Sequence, residues 1–117
     1  MRARNIIIGG MVLLFASCGQ RYEAKKLVKA FVKEHATEEI DISSFSDLDS
    51  TKVISDSLLQ VMRQQALKDT LFKDVKLGAI PQSTTLLYIR MRYGEDSLMQ
   101  SRTFYFDKDL TGIIAFK

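Results

Sequence analysis

One cysteine and one histidine bound the chemistry that this 117-residue chain could perform. Cys18 closes the stretch GGMVLLFASCGQ, Gly9 to Gln20, in which a long apolar run ends on two small residues. No second cysteine exists to pair with it, so an internal disulfide framework is excluded. His35 falls near the end of a helical pattern, where an imidazolium favours the C-terminal dipole, and a structural role is expected of it. A zinc site would need mostly carboxylate ligands, an uncommon set. No G-x-S-x-G elbow is present, and the only Gly-Gly pair, Gly9-Gly10, lies in the N-terminal segment and not in a phosphate-cradling loop. Asp47, Asp49 and Thr51 imitate the start of a calcium loop, but Lys52 stands where the turn glycine belongs and Leu58 where the closing glutamate belongs. Asp107 and Asp109 flank a hairpin turn, which suits aspartate for local hydrogen-bonding reasons. A carboxylate pair of the glycosidase kind is the one catalytic option left open, since sequence does not show spatial pairing. No catalytic residue, metal or cofactor is expected.

The N-terminal segment has three parts. Arg2 and Arg4 precede an apolar run from Ile6 to Ala16, and Ala16-Ser17 supplies small residues before Cys18. A helix over that run rises only about 17 Å, and one from Asn5 to Gly19 about 22 Å, against a hydrocarbon core of about 30 Å. It is too short to span a membrane comfortably. The residues Phe15-Ala16-Ser17-Cys18, followed by Gly19, resemble the lipobox of bacterial lipoprotein signal peptides, with Phe15 where leucine is commoner. The resemblance implies diacylglyceryl transfer to the Cys18 sulfur, cleavage between Ser17 and Cys18, and acylation of the new amine. Two or more acyl chains would hold the domain firmly, at about 0.8 kcal/mol per buried methylene. Gly19 in place of an inner-membrane retention aspartate implies the outer membrane. The absence of acidic residues in Gly19-Gln20-Arg21 favours its periplasmic leaflet.

Behind this segment the composition is that of one globular domain. Of the 17 basic residues, Arg2 and Arg4 belong to the signal; the other 15 face 14 acidic ones, a balance unlike that of a nucleic-acid binder. The expected organisation is a signal peptide over 1–17, a lipidated tether over 18–21 and a small α+β domain over 22–117. Leu27, Val28, Phe31 and Val32 recur at helical spacing, extended by Ala24 and His35, with Lys25, Lys26, Lys29 and Lys33 opposite. That lysine side reads as a solvated face, although anionic headgroups near a lipidated terminus would also suit it. The acidic, serine-rich stretch 37–50 reads as a covering loop with one short strand. A second helix is expected after Ser50 as N-cap, running to about Leu71 with a stripe of Ile54, Leu58, Val61, Met62 and Ala66. Residues 72–83 read as a short strand or an extended connection, ended by Pro81.

The last third alternates as strands: TTLLYIRMRY, a turn at Gly94–Ser97, LMQSRTFYF, a turn at DKDL, and TGIIAF. With Tyr93 facing Leu98 and Phe106 facing Thr111, Leu87, Ile89, Met91, Phe104, Phe106, Ile113 and Ala115 share one face. Tyr88, Arg90, Arg92, Thr103, Tyr105, Ile114 and Phe116 share the other. The expected fold is two helices on one face of a three- to four-stranded antiparallel meander. Aromatic residues beside arginines are enriched at interfaces, so Tyr88, Arg90, Arg92, Tyr105 and Phe116 are the candidate interaction surface. The functional expectation is a membrane-anchored domain that binds a protein or envelope component, and not nucleic acid. Two alternatives stand beside it. One is a small-ligand domain, since the element order over 22–117 is similar to cystatin-like and nuclear-transport-factor-like folds. The other is a carboxylate-based hydrolase.

Overall fold

The computed structural model describes residues 2–52, 55–81 and 85–117, with side chains described from Gly19 onward except that of Asp96. Its elements are α1 (Arg2–His35), β1 (Ile42–Phe45), β2 (Asp49–Thr51), α2 (Asp56–Leu67), β3 (Leu86–Tyr93), a 3-10 turn (Asp96–Leu98), β4 (Gln100–Asp107) and β5 (Ile113–Phe116). The fold is α+β, with five antiparallel strands among the described residues. β3, β4 and β5 form a meander, and β1 and β2 lie one after the other along the outer edge of β3. The stretch expected to be a loop with one short strand thus gives two, because its backbone groups find β3's free edge. Thr51 and Asp49 are part of this extended edge, a geometry unlike a calcium loop. No helix of the described residues is long and apolar enough to cross a membrane.

Among the described side chains of α1, the buried apolar ones are Ala24, Val28, Phe31 and Val32, on the stripe expected from spacing. They meet Ile89, Met91, Tyr93, Phe104, Phe106, Ile113 and Phe116 on the first face of the sheet. Four phenylalanine rings fill the space between helix and sheet. Phe31 lies 5.0 Å from Phe72 and 5.4 Å from Phe116, and Phe104 lies 5.5 Å from Phe116, centroid to centroid. Such tilted and edge-on contacts add to the area that the rings remove from water. His35 is part of this scaffold: its Nδ1 lies 3.0 Å from the Lys73 carbonyl, and its own carbonyl accepts from the Lys73 N–H. Arg21 begins the folded unit by donating to the carbonyls of Phe45 and Ser46.

The second helix departs from expectation. Its N-cap is Ser55, whose hydroxyl accepts from the Leu58 N–H, and not Ser50, which lies in β2. Its buried stripe is Leu59, Met62 and Ala66, while Leu58 and Val61 are about half exposed (49% and 51%). Ile54, also expected in the stripe, lies outside the described residues. Leu59 and Met62 cluster with Leu86, Tyr105, Ile114 and Ala115, which the pleat directs away from the α1 side. Leu59 and Met62 thus set α2 against the second face instead of beside α1 on the first, while its last buried residue, Ala66, joins the core cluster around α1.

Strand pairing departs from expectation as well. Tyr93 pairs with Gln100 and not with Leu98, a shift of two that leaves every side chain of β3 and β4 on its expected face. Between β4 and β5 the register starts as Phe106 with Ile113, then slips to Tyr105 with Ala115 and Phe104 with Phe116. One extra residue in β5 makes this bulge, and every side chain beyond it changes face. Ala115 moves to the second face and Phe116 to the first, opposite to expectation. The turn before β5 is held by Asp107, whose carboxylate accepts from the Thr111 N–H (2.8 Å), the Thr111 hydroxyl (2.7 Å) and the Gly112 N–H (3.2 Å).

Candidate functional site

The second face divides in two. Its β5 side is covered by α2, and Arg63 from that helix donates to the carbonyls of Gly78 (2.7 Å) and Ile114 (2.9 Å), sealing the bulged edge. The remainder is open. There the register lays Tyr88 beside Tyr105 in one row and Arg90 beside Thr103 in the next. Thr103 and Lys117 exchange both backbone hydrogen bonds, which extends the β4–β5 ladder and brings Lys117 into the Arg90 row. Thr51, Tyr88, Arg90, Thr103, Tyr105 and Lys117 line a shallow pocket of about 280 Å³. The two tyrosine rings form one wall, their centroids 5.8 Å apart and their planes tilted by 38°.

Of the residues expected from sequence to form an interaction surface, the structure brings together Tyr88, Arg90 and Tyr105. Arg92 is exposed one row further along, where it pairs with Ser44 and Ser101, and does not line the pocket. Phe116 is a correction: the bulge turns it into the aromatic core, where it is 1% exposed. Lys117 takes the place that the unbulged register would have given Phe116. No pattern of alternation signals it, because the bulge is one residue inside a four-residue strand. Ser17 and Cys18 lie in α1, with side chains outside the described residues. Gly19 and Gln20, next in the chain, are exposed and face Lys108–Leu110 of the β4–β5 turn across a cleft of about 530 Å³.

Hydrogen bonding distinguishes the open half from the rest of the molecule. Arg21 and Arg63 bond to main-chain carbonyls, and Arg102 forms an ion pair of 3.2 Å with Asp69. Arg90 and Arg92 have no such partner among the described residues. Nor do the side-chain donors of Tyr88, Thr103, Tyr105 and Lys117. Thr103 and Tyr105 are nonetheless mostly buried, at 9% and 7% exposure. No buried side-chain oxygen or nitrogen in the described structure lacks a partner, so these two hydroxyls must reach solvent at the pocket. Chemically the site is a set of unspent donors over an aromatic floor, without a nucleophile and base in contact. No family model, curated protein or solved structure matches this chain.

Proposed function

We propose that this chain is a lipid-anchored cell-envelope protein whose domain binds a protein or envelope component through the open half of its second sheet face. The anchor is the diacylated Cys18, and the address is the periplasmic leaflet of the outer membrane. One observation carries the binding role: three arginines are committed to holding the fold, whereas among the described residues Arg90 stands uncommitted beside two tyrosines and two further free donors, Thr103 and Lys117. Arginine with tyrosine is the pairing that interfaces favour, since a rigid ring supplies area and the guanidinium supplies directed bonds. The anchor rests on the Phe15–Cys18 sequence and gains support from Arg21, whose bonds to β1 begin the fold only three positions after Cys18. A short tether of this kind would keep the domain close to its bilayer. The small-ligand alternative needs room between helix and sheet, and four phenylalanine rings occupy that space at α1. For the hydrolase alternative, Asp69 is paired with Arg102 and Asp107 is committed to its turn, which leaves it only carboxylates away from the second-face pocket, such as Glu38 and Glu39.

Two arms test the proposal. Cys18→Ala should release the protein from membranes and leave the precursor uncut; unchanged membrane fractionation and mass would refute the anchor. A photo-crosslinking residue at position 88 should capture a defined partner in cells, and the same residue at the exposed Leu98 should not. Equal capture at both positions, or none at position 88, would remove the binding surface.

A further inference from the structure

We infer that the second-face pocket is a phosphate-binding site. This deepens the binding role proposed above and is independent of the lipid anchor. The geometry is as follows. Arg90, Thr103 and Lys117 sit side by side on three neighbouring strands, so the two cationic residues are about 9–10 Å apart at Cα with the threonine hydroxyl between them. Both side chains are long enough to converge on one anion above Thr103. In the adjoining row, Tyr88 and Tyr105 add two phenolic donors at the same pocket. These five side chains present only donors or hydroxyls, and none of them bonds to another described residue.

Such a set favours a ligand that only accepts. A carboxylate has two oxygens, whereas a phosphate ester offers three strongly accepting ones, enough to engage the Arg90 guanidinium, the Lys117 ammonium and the hydroxyls together. The pocket volume of about 280 Å³ admits a phosphate group with part of its ester. Among the described residues, Asp49, opposite Tyr88, and Asp107, opposite Leu86, are acidic positions on this face; neither lines the pocket, Asp49 being exposed and Asp107 committed to its turn. The charge at the pocket itself is therefore positive.

The test uses the full chain in a neutral detergent. It is titrated at constant ionic strength with inorganic phosphate or acetate while the amide resonances of Tyr88, Thr103 and Lys117 are followed. Phosphate should shift these resonances saturably and more tightly than acetate. Arg90→Gln and Lys117→Gln should each weaken phosphate about tenfold, the loss of one charge-assisted contact. Both replaced side chains reach solvent, so the fold is expected to persist, and unchanged resonances of the Phe31–Phe116 core would verify it. Unsaturable shifts, acetate binding as tightly as phosphate, or an Arg90→Gln chain with wild-type affinity would overturn the inference. The source of the group is read from two further ligands. Glycerol phosphate binding without binding to phosphatidylglycerol in phosphatidylcholine vesicles marks a soluble ester. Arg90-dependent binding to both marks a lipid headgroup. If phosphate fails while a crosslinker at position 88 still captures its partner, the phosphate assignment falls and the binding surface stands.

Discussion

The two faces of the sheet are built from the same strands yet solve opposite problems. On the first face, Phe104, Phe106 and Phe116 meet Phe31 and Phe72, and every ring is removed from water. On the second face, apolar packing stops where α2 stops, and beyond it Tyr88, Arg90, Thr103 and Lys117 remain open. The first face holds the fold together, with directed polar bonds kept to its margins, such as the Asp69–Arg102 pair. The second concentrates donors that no other described residue uses. Buried Tyr105 joins the two regimes: its ring packs under α2 while its hydroxyl faces the pocket. Stability and the proposed recognition are thus separated by the thickness of one sheet, and a substitution should report which side it falls on.

The largest effect tests that separation at Phe116 of β5 and Arg90 of β3, which flank β4 on opposite faces. Phe116→Ala should destabilise the domain by about 3–5 kcal/mol, as expected for emptying a ring from a packed core. Arg90→Ala should change stability by no more than about 0.5 kcal/mol, the usual range for an unpartnered surface residue. Urea denaturation of both variants measures this directly. Comparable losses in the two would mean that the faces are not divided as the bulge divides them. Phe116 is also where sequence reasoning failed most instructively. The alternation in β3 and β4 is legible, because eight-residue strands repeat their pattern enough times to fix a face. A shift of two in the turn did no harm, since the pleat has a period of two. The bulge at Ile114 shifted by one, and in a strand of four residues nothing in the pattern reveals that.

A smaller effect discriminates between the two apolar stripes of α2. Leu59→Ala should cost about 2–4 kcal/mol, whereas Leu58→Ala should cost well under 1 kcal/mol because its side chain is half exposed. The spacing of apolar residues allowed either stripe: Leu58, Val61 and Met62 fit a helical face as well as Leu59, Met62 and Ala66 do. Only the α2 partner surface, Leu86 with Tyr105 and Ile114, chooses between them, and that surface exists only in three dimensions. The α1 stripe was legible by contrast, since lysines on its other side left one choice. The edge strands β1 and β2 were not, being short, polar and stabilised by a partner edge more than by their own composition. The candidate site was half legible: Tyr88, Arg90 and Tyr105 followed from alternation, while Lys117 needed the bulge.

The turn that sets up the bulge offers the next test. Asp107→Ala removes all three bonds its carboxylate accepts and should cost about 2 kcal/mol. Asp107→Asn keeps one acceptor oxygen and should recover part of the loss. Because this turn holds β5 in register, the alanine variant should also weaken the packing of Phe116 before it disturbs β3. Hydrogen exchange should then be faster at Ala115 and Lys117 than at Ile89. Uniform acceleration over all three amides would show that the hairpin is not an independent source of the register.

The smallest effect lies in alkaline solution, at the end of the first face. Tyr93 is buried there beside Arg102, and its hydroxyl donates to the Gln100 side chain at 3.2 Å. Burial raises its ionisation above the ordinary value of 10.0, more than the neighbouring Arg102 charge lowers it, with Asp69 and Glu38 adding to the rise. The folded state therefore holds this proton more tightly than the unfolded chain does. Its contribution to stability is complete below the unfolded value of 10.0 and is lost as pH climbs through the higher folded value. Wild-type protein should lose stability between about pH 9.5 and pH 11 by a margin that Tyr93→Phe does not share. Tyr22→Phe, at an exposed position, should retain the full wild-type loss. If the Tyr93→Phe and wild-type curves fall in parallel across that window, the hydroxyl is not held by the first face, and its boundary lies short of Tyr93.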